Sequence, residues 1–482
     1  MKFGRFLGCL AAFSMLCACN GLLNVPGGSS GEGSDNGSGG DASGDNGSGG
    51  ASQADPAYVF DMEALPEITL YFPLDQWNDL LAKFDANPST KEYVHCNVTY
   101  RKGRDVFQID DAAVRLRGNT SRRRPEAGSG EHIGGGKADW SHCHFGLNLR
   151  KFVKDDKHEI KGIRKLNLKW FNNDPSYVRE VFCYDLFRRA GVWSASEVCY
   201  ARLWVHVEGD PAPAYYGVYA MIEPYDNKFI ERRADKFGDA KGNLWKCTYN
   251  SQGPADLRNP NASMGMDDGV NEYTYELKET SVDFETAKAQ LQTFIRKLNS
   301  GKDGDEFVSW FSQVCDVPLL VRTYAVNVAL GMWDDHWNNG NNYYLYFNST
   351  DNEKYQLFFL PYDYDNTLGT GNGYDPAKQN PTQWGSMGKL MQRIIKTPQY
   401  KALYIEELKR VVKEGNGLMD PETAKARVRD MQNFIAPYVV NDTGDDIEIR
   451  DEPAPWGSYG HYRLISDQNN YFTEKARVIN SL

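Results

Sequence analysis

Apolar and polar positions alternate in short runs through the first half of this chain, and recur every three to four residues through most of the second. The runs at 68–72, 93–100, 113–117, 145–149 and 166–170 have the period-two or continuous apolar pattern of strands. Two more, 200–207 and 214–222, are expected to pair antiparallel across Glu208-Gly-Asp-Pro. Between these groups Val178, Val181, Phe182, Leu186 and Phe187 recur at helical spacing. Asp174 is placed to cap that helix, Pro175 falls in its first turn and Gly191 ends it. A Gly-rich stretch at 122–141 reads as a long loop.

Beyond Glu223 the pattern changes. A short helix is expected at 227–233, a strand at 243–247 and a polar loop at 251–273. Helices then follow at 283–299, 305–313, 317–331, 386–412 with a break near Pro398, 421–438 and 463–481. A hairpin with its turn near 347–356 interrupts them. This is an α+β chain, β-rich over about 56–230 and mainly helical over about 231–482, without an internal repeat.

The N-terminal residues stand apart. Lys2 and Arg5 precede an apolar stretch, 6–16, too short to span a bilayer. Leu16-Cys-Ala-Cys19 resembles a bacterial lipobox, which makes Cys19 the expected acylated N-terminus and 1–19 a signal peptide. Residues 20–55 are dominated by Gly, Ser, Asp and Asn, cannot bury enough apolar surface to offset chain entropy, and read as a flexible tether. The expected location is the bacterial cell envelope, lipid-anchored through Cys19. The rest, 56–482, has globular composition with 41% hydrophobic residues in the chain. A net charge of −11 argues against nucleic-acid binding, which needs a basic face. Cys96, Cys143, Cys183, Cys199, Cys247 and Cys315 are spread too widely for a dense disulfide framework and are expected mostly as buried thiols. His142-Cys143-His144 has no second ligand pair at zinc spacing.

The densest chemistry lies between Met332 and Gly369. Asp363-Tyr-Asp365 follows an apolar strand, and in an extended backbone both carboxylates point one way, able to share a hard cation such as Mg²⁺. Gly369 allows a tight turn after them. Asp334 and Asp335 are expected to end the helix from Val317, an unfavourable place for acids that suggests a nearby counter-charge. One of the two suits proton acceptance from a substrate, with Asn341 or Asn342 supplying a metal or phosphate contact. His336 reads as a surface or turn histidine. Alternation places Arg115 and Arg117 on one strand face, and Lys165 and Lys169 on another, offering charges to phosphate oxygens. Glu180, on the helix that follows, can pair with one of those lysines. Glu223 ends the strand beginning near Tyr216.

Five stretches in order resemble the CotH-type kinases, relatives of spore coat protein H: Arg115-Leu-Arg-Gly-Asn-Thr-Ser121, Arg164-Lys-Leu-Asn-Leu-Lys169 with Val178-Arg-Glu180, Tyr216-Gly-Val-Tyr-Ala-Met-Ile-Glu223, Asn341-Asn-Tyr-Tyr-Leu-Tyr346 and Leu360-Pro-Tyr-Asp-Tyr-Asp365. The resemblance implies a bilobal, atypical protein-kinase-like fold and ATP- and Mg²⁺- (or Mn²⁺-) dependent phosphorylation of Ser or Thr on an acceptor protein. It implies Asp334 or Asp335 with Asn342 as the catalytic group and Asp363 and Asp365 with Asn342 as metal ligands. Arg115, Arg117, Lys165, Lys169, Glu180 and Glu223 are then the nucleotide and phosphate neighbourhood. The strand before Lys165 reads His142-Cys-His-Phe-Gly-Leu-Asn148 and lacks the lysine often found there in the family. Two other classes fit the same residues: a metal-dependent glycosyltransferase using Asp-x-Asp, and a non-catalytic Ca²⁺-dependent carbohydrate-binding or adhesion module.

Overall fold

The computed structural model describes residues 54–482 apart from 120, 135–138, 173, 269–270, 446, 455–456 and 458. Cys19, the signal peptide and nearly all of the tether lie outside the described residues. No described helix is long and apolar enough to cross a membrane.

Seven strands close into a barrel: β1 (Glu67–Phe72), β2 (Val94–Lys102), β3 (Asp105–Arg117), β4 (His144–Asn148), β5 (Lys165–Lys169), β6 (Val198–Val207) and β7 (Ala214–Ile222), in the order β1-β2-β3-β4-β5-β7-β6. Each neighbouring pair is antiparallel except β1 with β6, whose parallel pairing closes the ring. Closure leaves no open edge. Inward side chains such as Leu70, Val98, Leu116, Leu147, Leu166, Leu168, Val205 and Met221 fill the interior.

A second sheet has the order β12-β11-β8-β10-β9, from β8 (Asn243–Cys247), β9 (Met264–Met266), β10 (Tyr275–Glu279), β11 (Tyr343–Phe347) and β12 (Leu357–Pro361). The α+β class therefore holds, but the second part is less purely helical than expected. β10 was hidden because Glu276, Lys278 and Glu279 surround its two inward residues, Tyr275 and Leu277. A single apolar cluster joins the outer face of β6 and β7, the Arg179–Arg189 helix, this sheet and the C-terminal helices. The Arg179–Arg189 helix has all but its last two residues buried, as a helix packed on every side must.

That helix starts later than the sequence suggested. Asp174 does cap a turn, accepting from the amides of Ser176 at 3.1 Å and Val178 at 2.9 Å. Tyr177 takes a left-handed φ of +55°, which interrupts helical geometry until Arg179. The interruption sets the phase that turns Glu180 toward β5.

The Gly-rich stretch after β3 is fastened to the barrel by a buried polar cluster. His132 bridges Glu126 at 3.0 Å and Asp210 at 3.1 Å, and Trp77 Nε1 donates to Glu126 at 2.9 Å. Burial opposes the imidazolium, but the two carboxylates outweigh it and raise the His132 pKa. The raised pKa adds stability that is full below the ordinary imidazole value and disappears as pH rises through the folded one. His132→Gln is expected to cost about 2 kcal/mol at pH 6 and less at pH 9, read from urea unfolding at both. An equal loss at the two pH values would mean that the charge of His132 contributes nothing.

Candidate active site

Four segments converge where the barrel wall meets the second sheet: the end of β5, the start of the Arg179–Arg189 helix, the turn after β12, and the loop between the Val317–Ala329 helix and β11. Lys169, the last residue of β5, is the hub. Its ammonium donates to Glu180 Oε2 at 2.5 Å, Asp363 Oδ1 at 2.5 Å and Asp365 Oδ2 at 3.1 Å. Glu180 Oε1 in turn accepts from the Tyr364 amide at 3.3 Å, which ties the helix to the Asp-Tyr-Asp turn. The buried Arg179 pairs with Asp174 and donates to the Thr367 carbonyl at 3.3 Å, fixing the same turn from the other side.

Asp363 and Asp365 both reach the Lys169 ammonium, although not through strand alternation. β12 ends at Pro361, and Asp363 sits at φ +62° in a turn. Carboxylate oxygens of Glu180, Asp363 and Asp365 lie within 4.8 Å of one another, a hard-oxygen set suited to Mg²⁺ or Mn²⁺. Burial pushes the Asp363 carboxyl up, but Lys169, then Arg117 and Lys246, more than reverse this and hold it below its ordinary value. Asp365 goes the other way: burial and the Asp363 charge push it up to about 8. Three carboxyl groups thus share one bonded ammonium, with Arg117 and Lys246 adding positive charge at longer range.

Asp334 lies across from this group. Its Oδ1 accepts from Asn339 at 2.5 Å and Asn341 at 3.1 Å, and its Oδ2 from Asn342 at 3.0 Å and Asn366 at 3.5 Å. Burial chiefly raises the carboxyl to about 6, against the pull of the amides. The sequence reading had both acids ending the preceding helix. That helix instead stops at Ala329, and Asp335 is the N-cap of a short helix, His336–Asn339, accepting from the Asn338 amide at 2.7 Å. No unfavourable helix end is present, so the argument for a counter-charge there falls. Asp335 is 3% exposed and also accepts from Asn327 Nδ2 at 2.6 Å. Asp334 is the half-buried member of the pair and the one bonded to Asn366, next to Asp365.

His336 is not at the surface. It is fully buried, its Nδ1 lies 3.2 Å from the Ala255 carbonyl and its Nε2 accepts from the Leu390 amide, and burial pushes its pKa down to about 3. A Cβ at Gly388 would meet its ring at 2.7 Å, so the glycine admits the imidazole.

The remaining residues divide. Arg117 reaches the Asp-Tyr-Asp turn and donates to Tyr362 Oη at 3.2 Å, whereas Arg115 lies over the Tyr93 ring. Lys165 shares a strand with Lys169 but pairs with Asp226 at 3.0 Å, away from the carboxylate trio. Asn342 sits against Asp334 rather than with the trio. Glu223 is buried and held by Arg232, by Arg233 at 2.8 Å and by the Glu197 amide at 3.2 Å. Its bonds fasten the barrel end to the following turn. Glu223→Ala, which leaves Arg232 without its carboxylate and Arg233 with only the distant Glu197, is expected to cost about 3 kcal/mol in unfolding experiments with nucleotide affinity unchanged. A loss of affinity with stability intact would return it to the site. His142 and His144 flank Trp170; His142 bonds the Tyr216 carbonyl and His144 accepts from the Trp170 amide. Sequence reasoning passed over Asn339, Lys246 and Tyr362. The four asparagines crowded between 338 and 342 were the one signal that more than one amide would turn back onto an acid.

The family model described as CotH kinase protein matches residues 114–474, from within β3 into the C-terminal helix. No curated protein matches the chain.

Proposed function

The chain belongs to the CotH kinase protein family, and from that premise we propose that it is an ATP-dependent phosphotransferase acting on Ser or Thr hydroxyls of an acceptor protein. The observation that carries this reading is Lys169, bonded at once to Glu180, Asp363 and Asp365, with Asp334 set in asparagine amides that include Asn366, the residue after Asp365. A lysine–glutamate pair beside metal-suited acids and a separate half-buried acid is the division of labour that phosphoryl transfer needs. In this reading the barrel and the second sheet with its helices act as the two lobes of a protein-kinase-like arrangement. A Ca²⁺-dependent sugar-binding surface would have no use for a buried ammonium among its ligands.

The acceptor hydroxyl oxygen forms a bond to the γ-phosphorus while the bond to the β,γ-bridging oxygen breaks, releasing ADP. The hydroxyl proton passes to Asp334, whose pKa of about 6 suits a base working near neutral pH. Asn339, Asn341 and Asn342 orient that carboxylate. Glu180 holds Lys169, whose ammonium is offered to phosphate oxygens. Glu180, Asp363 and Asp365 would hold Mg²⁺ or Mn²⁺, which supplies charge neutralisation on the phosphates. Acylation of Cys19 and the 20–55 tether would present this site at the cell envelope.

The test is transfer from γ-labelled ATP by the purified protein to itself and to a generic protein acceptor. Labelling should require Mg²⁺ or Mn²⁺ and vanish in Asp363→Ala and Asp365→Ala variants that remain folded. Absence of labelling together with no thermal stabilisation by ATP and Mg²⁺ would reject the reading.

A further inference from the structure

Two cations next to the carboxylate trio have an aromatic neighbour where an acid would be expected. Arg117 ends β3 on the barrel side and donates from Nη2 to Tyr362 Oη at 3.2 Å. Lys246, on β8 of the second sheet, places Nζ 5.5 Å from the centre of the same ring. Its register partner on β11 is Tyr344, which packs edge-on against Tyr362 with ring centroids 5.2 Å apart. Tyr362 therefore stands between a cation from the barrel and a cation from the sheet, one residue before Asp363. Among the described residues neither cation forms a salt bridge, whereas the nearby Lys165 pairs with Asp226.

Cations held on a tyrosine are under-used: a ring face or a phenol oxygen attracts a cation far less than an anionic oxygen does. The neighbouring trio bonds only the Lys169 ammonium, and Arg117 and Lys246 act on Asp363 at a distance without a direct ion pair. A ligand that satisfies both must carry anionic oxygens in a chain, able to reach two basic side chains at one end and a divalent cation on the acids at the other. A single carboxylate or a sugar hydroxyl is too short or too weakly charged. We propose that Arg117 and Lys246 form a two-sided clamp, spaced by Tyr362, for the polyphosphate chain of the nucleoside triphosphate. The clamp rests on the nucleotide-dependent reading above and adds to it a residue, Lys246, from the sheet that no phosphate-binding pattern in the sequence singles out.

The experiment is calorimetric titration of the full protein, with Mg²⁺ present, by ATP, by inorganic tripolyphosphate and by adenosine, on the wild type, Lys246→Met, Lys246→Arg and Tyr362→Phe. Lys246→Met should weaken ATP and tripolyphosphate by about tenfold or more, as loss of one charged hydrogen bond does, and leave adenosine unchanged. Lys246→Arg should recover most of the loss. Tyr362→Phe, which keeps a ring under Lys246 but frees Arg117, should weaken both ligands less than Lys246→Met does. Folded Lys246→Met that binds ATP and tripolyphosphate like the wild type overturns the clamp and leaves the nucleotide reading in place. Equal weakening of adenosine also overturns it, since the effect would not be on phosphate. Wild type that binds tripolyphosphate but not ATP removes the nucleotide reading, and the clamp then survives only as a phosphate-chain site if Lys246→Met weakens tripolyphosphate; binding neither removes both.

Discussion

Asp334→Asn is expected to lower phosphoryl transfer by about 10²–10⁴-fold while leaving ATP affinity close to that of the wild type. The amide nearly matches the carboxylate in shape, and one oxygen remains to accept from Asn339 or Asn342, so the loop around it should persist. What it cannot do is take the acceptor proton. The pH profile supplies a second readout. Burial raises Asp334 to about 6, so the wild-type rate should fall as pH drops below that value, because the carboxylate is then protonated. That acid limb should be missing from the residual activity of the variant. Asp335→Asn is the control: burial raises this N-cap carboxyl to about 8, so near neutral pH the amide replaces a mostly protonated group that already accepts from Asn338 and Asn327, and the change should affect stability more than rate. If Asp335→Asn abolishes transfer and Asp334→Asn does not, the two roles assigned here are reversed.

Lys169→Met is expected to reduce transfer by about 10²-fold or more, the cost of removing one aimed donor from a developing charge. Its second effect has the opposite sign. In the wild type the ammonium occupies the centre of the trio, so a divalent cation must compete with it for Asp363 and Asp365. Without it three crowded carboxylates repel one another, and a divalent cation relieves the repulsion. The variant should therefore bind Mn²⁺ more tightly than the wild type when no nucleotide is present, measured by titration followed by electron paramagnetic resonance. It should also be less stable by about 3 kcal/mol in chelator and regain most of that on adding metal. Unchanged Mn²⁺ affinity would mean that the three acids are not a joint metal site.

Much of the barrel was legible because period-two patterning is a local property. The runs at 68–72, 145–149 and 166–170 coincide with β1, β4 and β5 to within one residue at each end. The closure was not, since the parallel pairing of β1 with β6 joins residues far apart in sequence through backbone groups that any side chain permits. β3 begins at Asp105, earlier than expected: its first half is mostly solvent-facing, with Val106 exposed and only Ile109 buried, so its apolar residues do not mark a continuous buried face. At the site, Asp363, Asp365 and Glu180 were readable as types and spacing. Alternation could not choose between Lys165 and Lys169, which have the same parity. The choice follows from the register Lys169↔Ala220 and from the helix phase that Tyr177 sets. Lys246 is one lysine in an apolar strand, and only the second sheet's pairing brings it to Tyr362.

The six described cysteines, all free and all buried, give the chain an internal alarm. Burial is the largest cause in each case and raises every one of these thiols, so alkylating reagents should pass the native protein by. They are distributed over the barrel interior, the site-bearing helix, the second sheet and the end of the 304–314 helix, so that opening of any of these exposes a thiol, whereas 316–482 carries none of its own. Labelling kinetics then separate two kinds of dead variant: one whose thiols stay silent has lost its chemistry, and one whose thiols react has lost its fold.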